Sequence, residues 1–169
     1  SLHALLASLD EHQVAGALTY SLRGVHYHAR GGNQETLAVA AAHPHLVPVA
    51  TLDLREYLGW ETEVDACLRA GVRAFAFFPE LQGWSPAGVF FRQVLERLTG
   101  RGVCLLFSAG ALAGTAGRID EIAAVTAGRG LSVIFTDTNY ANMAEVITVM
   151  RAYPHTSVSY THLTLPTIY

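Results

Sequence analysis

The sequence predicts an α/β fold in which parallel strands alternate with helices, and three observations carry that prediction. Apolar runs recur that are too short for helices and too continuous for half-exposed strands, as at residues 72–78; such runs belong to parallel sheets covered on both faces. Between them lie amphipathic stretches, as at residues 60–70, where Val64, Cys67 and Leu68 recur at helical spacing. The unit repeats roughly every 25 to 35 residues, the length of one βα module, which implies right-handed crossovers and strands running one way.

Taken in order, Leu2, Leu5, Leu6 and Leu9 mark a first helix, closed on its polar side by Asp10, Glu11 and His12. Residues 14–22 follow as a strand. Residues 23–32 read as a polar, glycine-containing loop, after which Asn33 is placed to cap a helix running to about His43. Pro44 stops that helix, and residues 46–52 form the next strand, ending at Asp53. Gly71 closes the helix over 60–70, because a residue without Cβ takes the left-handed conformation of a C-cap. The strand over 72–78 stops at Pro79, which cannot donate to a ladder and so delivers Glu80 to the carboxyl end of the sheet. Ser85 and Pro86 read as an N-cap and first helical residue, with the helix running through Thr99 and residues 103–107 as the next strand. A glycine-rich loop over 110–117 precedes a helix over 118–127 and a strand over 131–136. Asn142 with Glu145 resembles a capping box for a last helix ending before Pro154, and a sixth strand begins near Thr156.

Composition excludes several classes. With 51% hydrophobic and 15% charged residues the chain supports one domain with a large core. A net charge of -3 without charge runs gives no reason to expect nucleic acid or an anionic membrane as partner. No apolar stretch reaches the roughly 18 residues of a membrane span. Cys67 and Cys104 fall in core patterns without C-x-x-C spacing, as reduced thiols of a cytoplasmic protein do.

Parallel strands bring their carboxyl ends to one rim, where α/β folds place their chemistry. The residues expected there are Tyr20, Ser21, Arg23, His26, His28, Asp53, Glu80, Trp84, Ser108, Thr136, Asp137 and Asn139. Carboxylates, histidines and an arginine gathered on one face suit general acid–base work on a small-molecule substrate, or a hard divalent ion. Asp137 and Glu80 are the candidate catalytic groups, Arg23 a partner for a substrate carboxylate, and Trp84 a pocket wall. The alternative for Asp53 and Asn139 is that they cap turns, as short polar side chains after strands often do. His26-x-His28 has metal-ligand spacing but sits in a loop, which favours a solvated loop or a substrate contact. The loop over 110–117 offers backbone amides to a phosphate but lacks the ending of a P-loop. Both an open doubly wound sheet and a (β/α)8 barrel satisfy the pattern, although no strand is followed by G-x-G-x-x-G.

The succession Leu5-Leu6-Ala7-Ser8-Leu9-Asp10, Gly32-Asn33, His43-Pro44, residues 46–53, Ala70-Gly71-Val72-Arg73-Ala74 and Phe78-Pro79-Glu80 resembles the amidohydrolase-related family. That family includes aminocarboxymuconate-semialdehyde decarboxylase and related metal-dependent hydrolases and decarboxylases. The resemblance spans about residues 2–157 and implies an incomplete (β/α)8 TIM barrel supplying strands two to six and the start of seven. It implies a divalent metal, zinc or manganese, and hydrolysis or decarboxylation of a small organic acid by the intact parent, with a homo-oligomer as a possible assembly. The family's strand-five and strand-six histidines fall near Ser108 and Asp137, so Asp137 is the implied metal ligand here. The departures from histidine raise the alternative of a metal-free or inactive barrel that binds a carboxylated or phosphorylated ligand. Residues 1–157 are thus expected to be a partial barrel domain, inactive alone. Residues 158–169 are expected to be an artefact tail, since 158–167 resemble one reading frame of a transposase adapter used in sequencing metagenomic DNA, and His162 is given no role.

Overall fold

A computed structural model describes residues 2–55, 58–115 and 117–159; the expectation for the tail falls mostly on residues 160–169, outside them. The elements are α1 (Leu2–Glu11), β1 (Ala17–Thr19), α2 (Leu22–His26), α3 (Ala29–Ala42), β2 (Leu46–Thr51), α4 (Trp60–Arg69) and β3 (Ala74–Phe77). They continue with α5 (Pro79–Gln82), α6 (Val89–Leu98), β4 (Cys104–Ser108), α7 (Ala109–Leu112), α8 (Arg118–Thr126), β5 (Ser132–Thr136), α9 (Met143–Ala152) and β6 (Thr156–Val158). The strands form one sheet in sequence order, each paired in parallel with the next. The sheet is curled, as part of a barrel wall is.

Alternation along the strands sorts the core into two layers. Phe75, Phe77, Leu105, Phe107, Val133 and Phe135 face outward and pack against Val64, Phe91, Leu95, Ile122 and Val146 of the surrounding helices. Phe77 stacks on Phe107 with centroids 5.5 Å apart and meets Phe91 edge-on at 5.3 Å. Val49, Ala74, Ala76 and Leu106 face the concave side, with Phe78, Cys104 and Ile134 beside them. At the β1 end the same concave side leaves Leu18 and Val47 about half exposed.

Several local expectations need correction. Residues 23–32 are not a loop: Ser21 caps α2 by accepting the Arg23 N–H, and His28 Nδ1 caps α3 by accepting the Gly31 N–H. The glycines there serve close packing, since a Cβ on Gly32 would lie 2.3 Å from the Gly24 backbone. Asn33 is not a cap either. It sits inside α3, buried, where its amide pairs with both backbone groups of Thr51: Oδ1 accepts the Thr51 N–H at 2.8 Å and Nδ2 donates to the Thr51 carbonyl at 3.0 Å. β1 is only three residues long and pairs with residues 46–48. Asn33 therefore supplies the hydrogen bonds that a longer β1 would have given the end of β2. Pro79 does more than end a strand; it opens α5. The helix expected from Pro86 starts at Val89. Gly71 closes α4 as expected, with φ +90°.

The box expected of Asn142 and Glu145 does not form. Asn142 makes no side-chain cap, and Glu145 Oε1 reaches across to α8, accepting the N–H of Ile119 at 3.1 Å and of Asp120 at 3.4 Å.

Cys67 and Cys104 are both free thiols. Burial, the charge of Glu63 and a 3.5 Å hydrogen bond to Glu63 Oε1 push the Cys67 thiol up to about 12. Because the thiolate is the reactive form, Cys67 should stay unmodified by a disulfide reagent at neutral pH until denaturant is added. Rapid labelling of native protein at this residue, located by mass spectrometry, would contradict the structure.

Candidate functional site

The carboxyl ends of the strands bring Tyr20, Phe78, Ser108 and Asp137 together at one end of the concave face. Leu18 faces that side, so Tyr20, two residues on, stays with it; its ring lies 5.6 Å from that of Phe78. Ser108, the last residue of β4, accepts the Ala111 N–H at 3.2 Å and donates to Asp137 Oδ2 at 3.2 Å. Asp137 follows β5 with φ +55°, a conformation that aspartate tolerates better than most residues. Its carboxylate rests over Gly110, where a Cβ would come within 2.3 Å of Oδ2. Burial first, and then the Asp137 charge, raise the pKa of Tyr20 above 10.0, so the phenol keeps its proton as a donor.

The other expected site residues are committed elsewhere. Arg23 pairs with Glu35 of α3 at 2.7 Å. His26 is exposed on α2, and His28 is the α3 cap. Asp53 accepts the Arg55 N–H at 3.0 Å and pairs with its guanidinium at 2.6 Å. Asn139 Oδ1 accepts the Ala141 N–H at 2.9 Å. Both of these are the turn roles weighed in the sequence. Glu80 reaches the rim but pairs with Arg118 at 2.8 Å, and Arg118 also holds Glu121. Trp84 is not a pocket wall. It packs on the outer layer, 5.2 Å from Phe91, and donates to Gln82 Oε1 at 2.9 Å.

At the start of α8, where the phosphate option would draw its donors, the amides are largely engaged. Ser108 takes the Ala111 N–H, Glu145 takes those of Ile119 and Asp120, and those of Arg118 and Glu121 go to the Thr115 and Gly117 carbonyls. As to a metal, no three His, Cys, Asp or Glu side chains converge among the described residues. Asp137 has the Ser108 hydroxyl and Gly110 for neighbours, which do not fit a zinc or manganese donor set.

Asp53 links pH to stability. Burial raises its pKa, but the hydrogen bonds and charge of Arg55 outweigh burial and lower it below 3.8. A lowered folded-state pKa stabilises the fold above the unfolded value, and that contribution disappears as pH falls through the folded one. Asp53→Asn should therefore lower the unfolding midpoint at neutral pH and flatten its fall on the acid side of 3.8. Unchanged acid-side dependence in the variant would sink this assignment.

Among the described residues no helix is long and apolar enough to cross a membrane. No protein-family model and no curated protein matches the chain. Among solved structures, the fold is similar to that of an uncharacterized TIM-barrel protein from Bordetella bronchiseptica, with TM-score 0.71 and 15% identity. The match covers 94% of this chain and 58% of that one. The parallel strand order, the outer helices and this likeness show the fold: a partial TIM barrel whose described sheet runs from β1 to β6.

Proposed function

We propose that the chain supplies consecutive strands of a barrel enzyme that performs acid–base chemistry on a small molecule, with Asp137 as the group that moves the proton. The observation behind this reading is Asp137 itself. An exposed carboxylate sits in a rare backbone conformation, oriented by Ser108 at 3.2 Å and given space by Gly110, at the rim where barrels place their chemistry. Tyr20 adds a protonated phenol. The amidohydrolase resemblance adds hydrolysis or decarboxylation of a small organic acid with zinc or manganese. Since the residues present do not make a donor set for that ion, no step is assigned to it.

The test uses the full-length protein and a panel of lactones, esters and β-keto acids. Asp137→Asn should slow turnover by about a hundredfold or more while leaving the thermal midpoint unchanged. A variant as fast as the wild type removes Asp137 from the chemistry. A second reading, a metal-free barrel that binds without turnover, is favoured by Ser108 and Asp137 standing where the family has histidines. Binding of a panel compound without consumption by the wild type would select it.

A further inference from the structure

We propose that the rim site takes a small organic cation, an ammonium-bearing molecule, with Asp137 as its counter-ion and the rings of Tyr20 and Phe78 as its walls. This deepens the acid–base reading above, rests on the same site, and puts a cation in place of the organic acid that the family resemblance implies.

The argument begins with which charges are already committed. The sequence contains no lysine, so each of its 11 cationic side chains is an arginine. Those that follow strand ends are paired internally: Arg23 with Glu35, Arg30 with Glu63, Arg55 with Asp53, and Arg118 with Glu80 and Glu121. An incoming carboxylate meets no uncommitted guanidinium on this arc of the rim. Asp137 is the reverse case. Among the described residues no arginine or histidine pairs with it, and its recorded partner is the neutral Ser108 hydroxyl. An exposed carboxylate oriented by neutral groups is complementary to a cation.

The walls point the same way. Tyr20 and Phe78 stand 5.6 Å apart with their rings inclined at 57°, and Tyr20 is 41% exposed. Phe77 of β3 is paired in register with Phe107 of β4, so Phe78 stands beside Ser108, whose hydroxyl holds Asp137. A cation over such faces is attracted by the ring quadrupoles. Below the rim the concave face continues as Ala76, Leu106 and Ile134, apolar and partly small, which suits methyl or methylene groups attached to nitrogen.

The experiment is calorimetric titration of the full-length protein with three compounds of nearly one shape: choline, its uncharged isostere 3,3-dimethyl-1-butanol, and the anion 3,3-dimethylbutanoate. Choline should bind about tenfold or more tightly than the alcohol, and the anion should bind most weakly. Asp137→Asn should remove most of the advantage over the alcohol, and Phe78→Leu, which keeps an apolar side chain, should weaken choline severalfold. Equal binding of choline and the alcohol, or preference for the anion, overturns the proposal. If Asp137→Asn abolishes turnover of other substrates while choline shows no preference, the acid–base reading survives and the cation is wrong. If choline binds through Asp137 but no panel compound is turned over, the converse holds.

Discussion

Gly32→Ala should destabilise the protein by about 3 kcal/mol or more, whereas Gly31→Ala, one residue earlier in the same helix, should be close to neutral. The contrast follows from what each new methyl would meet. At Gly32 the Cβ lands 2.3 Å from both Cα and N of Gly24, and backbone cannot rotate aside. Helices α2 and α3 must separate, and Gly24 is itself packed so closely that a Cβ there would meet Thr51 Oγ1 at 2.3 Å. Separation would therefore disturb the end of β2 as well. At Gly31 the nearest atoms belong to the His28 ring and the Arg23 guanidinium, at 3.0 and 3.3 Å. Those side chains can shift, and alanine is the better helix former by about 1 kcal/mol. Urea unfolding of both variants decides it, and equal midpoints would mean that the two helices do not cross at Gly24 and Gly32.

Asn33→Leu should cost a similar amount, about 4 kcal/mol, despite conserving side-chain volume. Its carboxamide satisfies the Thr51 N–H and carbonyl and donates to Glu63 Oε1 at 2.8 Å, all out of water. Leucine fills the space, leaves the Thr51 N–H and carbonyl without partners, each costing about 1 to 3 kcal/mol, and takes one donor from Glu63. Glu63 retains Arg30 at 3.3 Å, which limits the damage on its side. Hydrogen exchange offers a second reading: the Thr51 amide should lose protection in Asn33→Leu well before the amides shared by β4 and β5. Unchanged protection at Thr51 would rule out the amide clamp.

The central strands were legible in the sequence because burial on both faces writes a continuous apolar run. The expectation over 103–107 met Cys104–Ser108, and that over 131–136 met Ser132–Thr136, within a residue. β1 was overextended because residues 14–22 have strand character throughout, while their pairing depends on whether a partner group remains available on β2. Asn33 has taken it, and no local pattern reports a contact to Thr51, 18 residues away. Residues 23–32 were misread for a related reason. Glycine usually signals a loop, but Gly24 and Gly32 are there because two helices meet without room for side chains. Trp84 and Glu80 were assigned to the site by position after a strand, and direction decided otherwise. Trp84 turned toward Phe91, and Glu80 toward Arg118. Asp137 stands at the strand-end rim, where the count of βα modules puts it. Position after a strand does not mark Phe78 or Gly110 as its neighbours, although the alternation of Ala74, Ala76 and Phe78 carries a signal for the first.

The reach of Glu145 across to α8 has a consequence for the order in which the nascent protein matures. The amino end of α8 is finished by a side chain that the ribosome adds 26 residues after Ile119. At about 5 to 20 residues per second, that leaves the start of α8 open for a few seconds after its own residues have emerged. Each such clasp, in which a module is completed by its successor, makes assembly directional. A chaperone that binds frayed helix ends would find its opportunity in that interval.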